Sequence, residues 1–290
     1  MQPIPVLYAP EMVAPSTCTL SPSSGKPALV VERWRASGLP IRVERPRPAS
    51  EAELSLAHEP RFVREVLACR ARNGFGDTDP AVAASLPWTS GAMLSAARVA
   101  LDTRAVACAP CSGFHHAGWD TASAFCTFNG LMVAALALRQ EGRVSRVGIL
   151  DADMHYGNGT EHIMQALDAR GWVQHVTFGK EYFYPHQAAG FLEGLAQVVR
   201  AFAGCDLLLY QAGADPHVDD PLGGWLTTDE LARRDELVFA TARELGLPVA
   251  WNLAGGYQRD AEGGIAPVLK IHENTMRVCA QVWAQAPAPV

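Results

Sequence analysis

The sequence lacks the features that mark a nucleic-acid-binding protein or a membrane protein. Charged residues make up 19% of the 290 residues, the formal net charge is −6, and no basic patch stands out, which disfavours nucleic-acid binding. No window approaches the roughly 18 uninterrupted apolar residues that a membrane span needs. We therefore expect neither nucleic acid nor a membrane among the partners.

Signals for secretion and for a disulfide framework are missing as well. The N-terminus has no basic segment and no long apolar segment, so we expect no secretory signal. The seven cysteines form an odd and scattered set. Such a set argues against disulfide pairing and favours the reducing cytoplasm.

What is present is a large apolar fraction, 49% of the residues, with no repeat or low-complexity linker that would divide the chain. We expect residues 1–290 to form a single domain. Short β-prone runs alternate with helical patterns, which predicts an α/β fold of three αβα layers around a mostly parallel sheet. The predicted strands are Pro5–Tyr8, Ile41–Val43, Ala105–Ala109, Val147–Leu150, Val173–Phe178, Leu207–Gln211 and Val249–Leu253. The predicted helices are Lys26–Ser37, Arg61–Arg70, Ser90–Thr103, Thr127–Glu141, Thr160–Asp168, Leu192–Ala203, Thr228–Leu245 and Ala266–Gln285, and residues 46–87 read as a helical excursion.

Polar residues follow four of these strands. They are His115 and His116, the segment from Asp151 to His155, then Asp215, and finally the glycine pair before Tyr257. Ligand sites in parallel sheets lie beyond the carboxyl ends of the strands. The four segments are therefore expected to meet at one rim.

The segment Asp151-Ala-Asp153-Met-His155 carries the strongest single signal. Alternation along an extended backbone would place Asp151, Asp153 and His155 on one side. Two carboxylates and an imidazole form a good set of ligands for a divalent metal. Taken alone, the segment could equally be a solvated turn, and the case for a metal grows when Asp215 and the histidine pair are included.

Five motifs, in order along the chain, resemble those of the histone deacetylase and acetylpolyamine amidohydrolase family, within the arginase–deacetylase superfamily. They are Ser112-Gly-Phe-His-His-Ala117, Ala124-Phe-Cys-Thr-Phe-Asn129, Asp151-Ala-Asp-Met-His-Tyr-Gly-Asn-Gly-Thr160, Gly213-Ala-Asp-Pro-His-Val-Asp-Asp-Pro-Leu-Gly223 and Ala254-Gly-Gly-Tyr257. The resemblance implies an arginase/deacetylase-like fold and a deacetylase-like catalytic domain. It also implies a zinc-dependent amidohydrolase that removes an acetyl or other short acyl group from an acylated primary amine such as acetyl-lysine.

The resemblance also implies the role of each site residue. Zn²⁺ would be held by Asp153, His155 and Asp215, and would polarise the amide carbonyl and activate a water molecule. His116 would be the general base and acid, backed by Asn158, while His115, backed by Asp151, would tune the electrostatics. Tyr257 would donate its hydroxyl to the developing oxyanion. Phe125, Tyr184 and Gly256 would be the substrate-binding residues, with Phe183 as the rival of Tyr184 for one aromatic wall. A structural K⁺ or Na⁺ site near residues 151–155 is implied too, extended by Thr177 and Phe178.

Several alternatives stay open. The chain could hydrolyse acetylpolyamines, another small amide or a guanidino compound, or it could be a weakly active, metal-containing binder of acyl-lysine. The absence of a long insertion leans against a strict polyamine enzyme. Cys108 and Cys111 form a Cys-x-x-Cys pair that could be redox-active, although a buried pair beside the site is the simpler interpretation. Nothing in the sequence determines the oligomeric state.

Overall fold

The structure, a computed structural model, describes residues 2–15 and 20–283. Within that part of the chain, the seven predicted strands all form, and five of them are one or two residues longer than predicted. They are β1 (Ile4–Leu7), β2 (Ile41–Glu44), β3 (Val106–Ser112), β4 (Val147–Asp151), β5 (Val173–Thr177), β6 (Leu207–Gly213) and β7 (Val249–Ala254).

The helices lie between the strands, as the alternation predicts. They are α1 (Lys26–Ala36), α2 (Glu51–Ala57), α3 (Pro60–Leu67), α4 (Pro80–Thr103), α5 (Gly130–Gln140), α6 (Asn158–Ala166), α7 (Ala188–Arg200), α8 (Thr228–Glu244) and α9 (Ala266–Trp283). The last predicted helix extends to Gln285, which lies outside the described residues.

The strands form one sheet in the order β2-β1-β3-β7-β6-β4-β5. Every described pairing in it is parallel, so the carboxyl ends of all the strands meet at the same edge. The strands β3, β7, β6 and β4 are consecutive neighbours at the centre of the sheet. These four strands precede the four polar segments, which the topology therefore brings to one rim.

Helices cover both faces of the sheet, which confirms the three-layer αβα prediction. On one face, residues such as Met93 of α4 and Leu131 of α5 pack with Ile149 and Leu209 of the sheet. On the opposite face, helices α1, α7, α8 and α9 form a second core, in which Trp34 lies 5.9 Å from Trp251 between ring centroids. The two cores pack against the central strands from both sides, and the candidate site lies at the carboxyl ends of these strands.

Two helices differ from the prediction within residues 46–103. Helix α2 lies within the predicted helical excursion of residues 46–87 but was not predicted as a separate helix, although Ser50 and Glu53 form a capping box that favours a helix start there. Helix α4 begins at Pro80 rather than Ser90 and continues through Pro87. The N–H group of Ala49 donates a hydrogen bond to the Pro87 carbonyl, so residues outside the helix support it at the proline. Among the described helices, none combines the length and the apolar character that crossing a bilayer requires.

Candidate metal centre and active site

The metal-ligand candidates after β4 are placed by a turn rather than by the strand. The strand ends at Asp151, so the alternation expected for an extended chain does not position Asp153 and His155. Instead, the N–H of Asp153 lies 3.3 Å from Oδ1 of Asp151, and the N–H of His155 lies 2.9 Å from Oδ1 of Asp153. Carboxylates that accept from the backbone two residues on are typical of Asx turns. The turn directs Asp153 and His155 toward the segment after β6.

Asp153, His155 and Asp215 come together from these two segments. One ligand atom from each residue lies within 4.8 Å of the others. Nδ1 of His155 is 3.1 Å from Oδ1 of Asp153 and also 3.1 Å from Oδ2 of Asp215. Both carboxylates are buried. Two carboxylates and one imidazole around one point offer three ligand atoms to a metal ion.

The charges at this cluster favour a cation strongly. Burial and the neighbouring Asp153 carboxylate raise the pKa of Asp215 above its usual value. Hydrogen bonds to Asp153 and Asp215 raise the pKa of His155 to about 10. Two carboxylates removed from water repel each other unless a positive charge lies between them. The site therefore has both the ligands and the electrostatic preference for a divalent ion.

The two histidines after β3 stack beside this cluster, but they have different partners. Their ring centroids are 4.0 Å apart, and the His116 ring is 5.9 Å from that of His155. Nδ1 of His115 lies 2.7 Å from Oδ2 of Asp151, whereas Nδ1 of His116 lies 2.6 Å from Oδ1 of Asn158. Both pairs agree with those implied by the sequence motifs.

The different partners give the two imidazoles different charges. Burial disfavours a charged His115, but the carboxylates of Asp151 and Asp153 outweigh it and raise the pKa to about 9. Burial and the adjacent positive His115 lower the pKa of His116. The pair thus consists of one imidazole that holds a proton and one that is neutral near pH 7.

The segment from Gly255 to Tyr257 approaches the cluster closely after β7. A β-carbon on Gly255 would lie 2.2 Å from the Asp215 carboxyl carbon, and both glycines have positive φ (+50° and +88°). A glycine at position 255 is therefore required by both space and backbone conformation. The N–H of Tyr257 donates to Oδ2 of Asp220 at 2.8 Å, and the buried Lys26 ammonium donates to the Gly255 carbonyl. The Tyr257 side chain is almost fully buried.

Phe125 is an aromatic neighbour of Tyr257. The Phe125 ring lies 6.0 Å from that of Tyr257 and 5.7 Å from that of Phe75. Phe125 has φ +66°, a strained value for this residue, and its N–H donates to the Gly74 carbonyl. Tyr184 is 61% exposed and stacks on His186, so its assignment as the second wall stays a prediction.

The structure also places three residues that the sequence analysis considered as alternatives, His217, Cys108 and Cys111. The ring nitrogens of His217, which the sequence analysis left out of the ligand set, face the Thr228 hydroxyl and the Asp219 N–H. Cys108 and Cys111 are buried in β3, and burial raises the pKa of both thiols. A thiol held in its protonated form is a poor nucleophile. All cysteines in the described ranges are free thiols.

The segment proposed to extend the monovalent-cation site does lie against residues 151–157. The Thr177 hydroxyl accepts from the N–H of Gly157 at 3.2 Å, and the N–H of Phe178 donates to the Asp151 carbonyl at 3.3 Å. These contacts place the two segments together. The K⁺ or Na⁺ assignment stays a prediction.

Sequence reasoning missed residues that support the site from behind. Gln211 donates to Oδ1 of Asp151 at 2.9 Å and accepts from the N–H of Phe114, so it links the segments after β3 and β4. Lys26 supports the Tyr257 segment from helix α1. Neither residue belongs to a motif. A polar residue at the end of an apolar strand was the available signal for Gln211, whereas Lys26 had none.

Comparison with known proteins relates the chain to deacetylases. A family model described as the histone deacetylase domain matches residues 23–194 and 187–267. An uncharacterized protein of Picosynechococcus sp. is 30% identical over 254 residues, which cover 76% of this chain and 80% of the relative. The acetylpolyamine amidohydrolase of Burkholderia pseudomallei is 31% identical over 69% of this chain and 66% of its own length. Histone deacetylase 2 of Arabidopsis thaliana is 29% identical, and the chain spans 45% of its length.

A solved structure gives the same answer for the fold. The crystal structure of acetylpolyamine aminohydrolase from Burkholderia pseudomallei superposes with a TM-score of 0.73 over 96% of this chain and 99% of that one, at 22% identity. The seven-stranded parallel sheet and its helical layers are thus those of a known architecture.

Proposed function

The chain belongs to the histone deacetylase family, and from this premise we propose that it is a zinc-dependent amidohydrolase. Its substrate would be an acylated primary amine such as acetyl-lysine, from which it removes an acetyl or other short acyl group. The observation that carries the proposal is the convergence of Asp153, His155 and Asp215 beside the His115–His116 pair. We propose residues 1–290 as one catalytic domain.

Asp153, His155 and Asp215 would hold the metal. Zinc accepts oxygen and nitrogen ligands, and a catalytic zinc site uses three protein ligands and keeps one position open. When bound, zinc supplies Lewis acidity, which polarises the amide carbonyl and makes a water molecule acidic enough to react near neutral pH. The turn that fixes Asp153 and His155 holds these side chains ready for the ion.

His116 would move the proton. Asn158 presents its amide oxygen to Nδ1 of His116, so Nδ1 carries the hydrogen and Nε2 has a free electron pair. Because the pKa of His116 is lowered, this nitrogen is available to take a proton from the attacking water. The same nitrogen would then give the proton to the leaving amine. His115, held by Asp151, would stay charged and stabilise negative charge that develops nearby.

Tyr257 would stabilise the oxyanion of the transition state. Burial and the Asp215 carboxylate raise the pKa of its hydroxyl above the usual value, so the hydroxyl keeps its hydrogen and can donate it. The Asp220 and Lys26 contacts to its segment fix the approach of the ring. A fixed donor aimed at developing charge needs no reorganisation during the reaction.

The aromatic approach supports a substrate with an apolar stem. Phe125 presents ring surface beside Tyr257, and Phe75 lies next to Phe125, which suits the methylene chain of an acylated lysine or a small acylated amine. Acetylpolyamines fall within the same class of substrate. We propose Gly256 and Tyr184 as further substrate-binding residues.

The contacts favour amide hydrolysis over guanidino hydrolysis by two metals. A second metal would need further carboxylates at the site. Asp220 is engaged by the N–H groups of Tyr257 and Leu222, and Asp219 is exposed. In the part of the chain that the structure describes, Asp153, His155 and Asp215 form the one cluster of three potential metal ligands.

Metal analysis combined with a substrate panel tests the proposal. Purified protein is assayed for bound metal and then for hydrolysis of an acetyl-lysine peptide, an acetylpolyamine and longer-acyl peptides, with His116→Ala as the matched control. We expect stoichiometric zinc in both proteins and acyl release by the unmodified protein alone. Metal binding without turnover on any substrate would favour an acyl-lysine binder instead. Absence of metal would contradict the proposal.

A further inference from the structure

Arg234 is a fully buried arginine of helix α8 that lies behind the candidate metal centre. Its Nη1 donates to the carbonyl oxygen of Ala152 at 3.0 Å and to that of Gly213 at 2.8 Å. The two hydrogens of one nitrogen thus bridge two backbone segments. Ala152 directly precedes Asp153, and Gly213 lies two residues before Asp215.

The bridge lies where the two central strands separate. The register of β4 with β6 ends at Asp151 opposite Gln211, and the final ladder bond runs from the N–H of Ala152 to the Gln211 carbonyl. The backbones are still very close beyond this point, since a β-carbon on Gly213 would lie 2.6 Å from the Cα of Asp153. Buried carbonyl groups at a strand end need a donor. Arg234 supplies it to both segments at once.

A second buried group holds the guanidinium in place. Nε of Arg234 donates to Oδ1 of Asp235 at 2.9 Å. Asp235 also accepts from the Tyr210 hydroxyl at 2.5 Å and from the Thr275 hydroxyl at 2.6 Å. The acid is therefore anchored to β6 and to α9, and it fixes the direction of the arginine.

We propose that Arg234 is a positioning residue that sets the spacing between Asp153 and Asp215 by tying their backbone segments together. The proposal rests on the function proposed above for the metal centre. Arg234 contacts neither the reacting atoms nor the metal ligands' side chains. Arg234 would act by holding Asp153 and Asp215 at the correct spacing in the metal-free protein.

The energetics of burial support a role beyond stability. Taking a guanidinium and a carboxylate out of water is costly, and well-packed apolar residues of similar volume are often as stabilising as a buried ion pair. A lysine would not replace the arginine, because its ammonium lacks the planar fork that reaches Asp235 and two carbonyl oxygens together. The planar guanidinium is what allows Arg234 to bond Asp235 and the carbonyl groups of Ala152 and Gly213 at the same time.

Variants that separate spacing from stability test the proposal. The main variant replaces the whole network with apolar residues, Arg234→Met, Asp235→Leu, Tyr210→Phe and Thr275→Val, so that no buried charge is left unpaired. Arg234→Lys is the second variant. Arg233→Lys is the matched control, since Arg233 precedes Arg234 on helix α8 but is exposed and pairs with Glu236 instead. The readouts are the zinc dissociation constant by chelator competition, the visible spectrum of the Co²⁺ form and the melting temperature without metal.

We expect the apolar variant and Arg234→Lys to bind zinc ~10–100-fold more weakly, the usual range for loss of support behind metal ligands. The Co²⁺ spectrum should change, while the control keeps the affinity and spectrum of the unmodified protein. If the apolar variant does not fold, Arg234→Lys decides. Unchanged zinc affinity and Co²⁺ spectrum in the folded variants would overturn the role of Arg234. Failure of the unmodified protein to bind zinc would instead overturn the proposed function.

Discussion

Nδ1 of His116 lies 2.6 Å from the side-chain oxygen of Asn158, a neutral partner, whereas the adjacent His115 faces a carboxylate. Burial and the neighbouring positive His115 lower the pKa of His116, and the neutral Asn158 adds no negative charge that would offset them. Nε2 of His116 is therefore free to accept a proton. Replacing Asn158 with Asp would favour the imidazolium form and raise the pKa of His116. We expect the acidic limb of the kcat/KM profile to move to higher pH by about one unit or more.

The Asn158→Asp variant should keep its fold, because position 158 is the first residue of helix α6, where a negative charge is favourable. Melting temperature and zinc content serve as controls. An acidic limb that stays at its original pH, with activity retained, would remove His116 as the group that sets it.

Tyr257→Phe removes one hydroxyl from a buried ring. Loss of a single oxyanion donor costs on the order of 100-fold or more in kcat. Zinc content and melting temperature should be little changed, since the Asp220 contact is made by the Tyr257 backbone rather than its hydroxyl. Steady-state kinetics on the best substrate of the panel measure the effect, and an unchanged kcat would exclude the hydroxyl from the reaction.

The aromatic wall is tested by comparing Phe125→Ala with Tyr184→Ala. Phe125 contacts Phe75 and Tyr257, so its loss should lower kcat/KM about tenfold for substrates with a long methylene stem, as expected from the energy of such aromatic contacts. An acylated short-chain amine should be less affected. If Tyr184 forms the second wall, its variant should show the same pattern. Unchanged kinetics for Tyr184→Ala would limit the wall to the Phe125 side.

The buried, neutral His58 should make the folded protein less stable in acid. This effect does not involve the metal centre. Its Nδ1 donates to the Gly118 carbonyl at 2.7 Å, and its Nε2 accepts from the N–H of Asn129 at 2.8 Å. Only the neutral ring can do both, and burial lowers the pKa to about 4. The unfolded chain takes up a proton near pH 6.5 while the folded chain does not. Unfolding should therefore become easier by about 3 kcal/mol as the pH falls from about 7 to 4.

Denaturant unfolding between pH 4 and pH 7 measures this slope. His58→Gln should be less stable at pH 7 and should lose this part of the pH dependence. His186→Gln, at an exposed position, is the matched control and should leave the slope unchanged. An identical slope in His58→Gln would assign the acid sensitivity to other groups.

Much of the fold was predictable because the signals are local. Most strands are short, mainly apolar runs, while β2 and β5 mix apolar and polar residues. Such patterns locate the strands well, although not their last residues. The ends of β3 and β6 were missed since Ser112 and Gly213 do not look like strand residues. Helix α4 was predicted too short, from Ser90, whereas it begins at Pro80 and continues through Pro87, where the Ala49 N–H donates to the Pro87 carbonyl. A tertiary contact of this kind leaves no local signal in the sequence.

In the site, too, some residues could be predicted from local sequence signals and others could not. The residues that would touch metal or substrate lie in short contiguous motifs, and the sheet order brings those motifs together. The residues behind them, Gln211, Lys26 and Arg234, are far apart in sequence and belong to no pattern. Lys26 and Arg234 look like ordinary charged residues of a helix in the sequence. Only the three-dimensional structure shows that they are buried and bonded to backbone carbonyls.

The central claim is that two distant segments supply one metal site, and zinc content of Asp215→Asn tests it most directly. Asp219→Asn, four residues further along and exposed, is the matched control. By elemental analysis of folded protein, we expect one zinc per chain in the unmodified protein and in Asp219→Asn, and little or none in Asp215→Asn. Full zinc occupancy in Asp215→Asn would contradict the account.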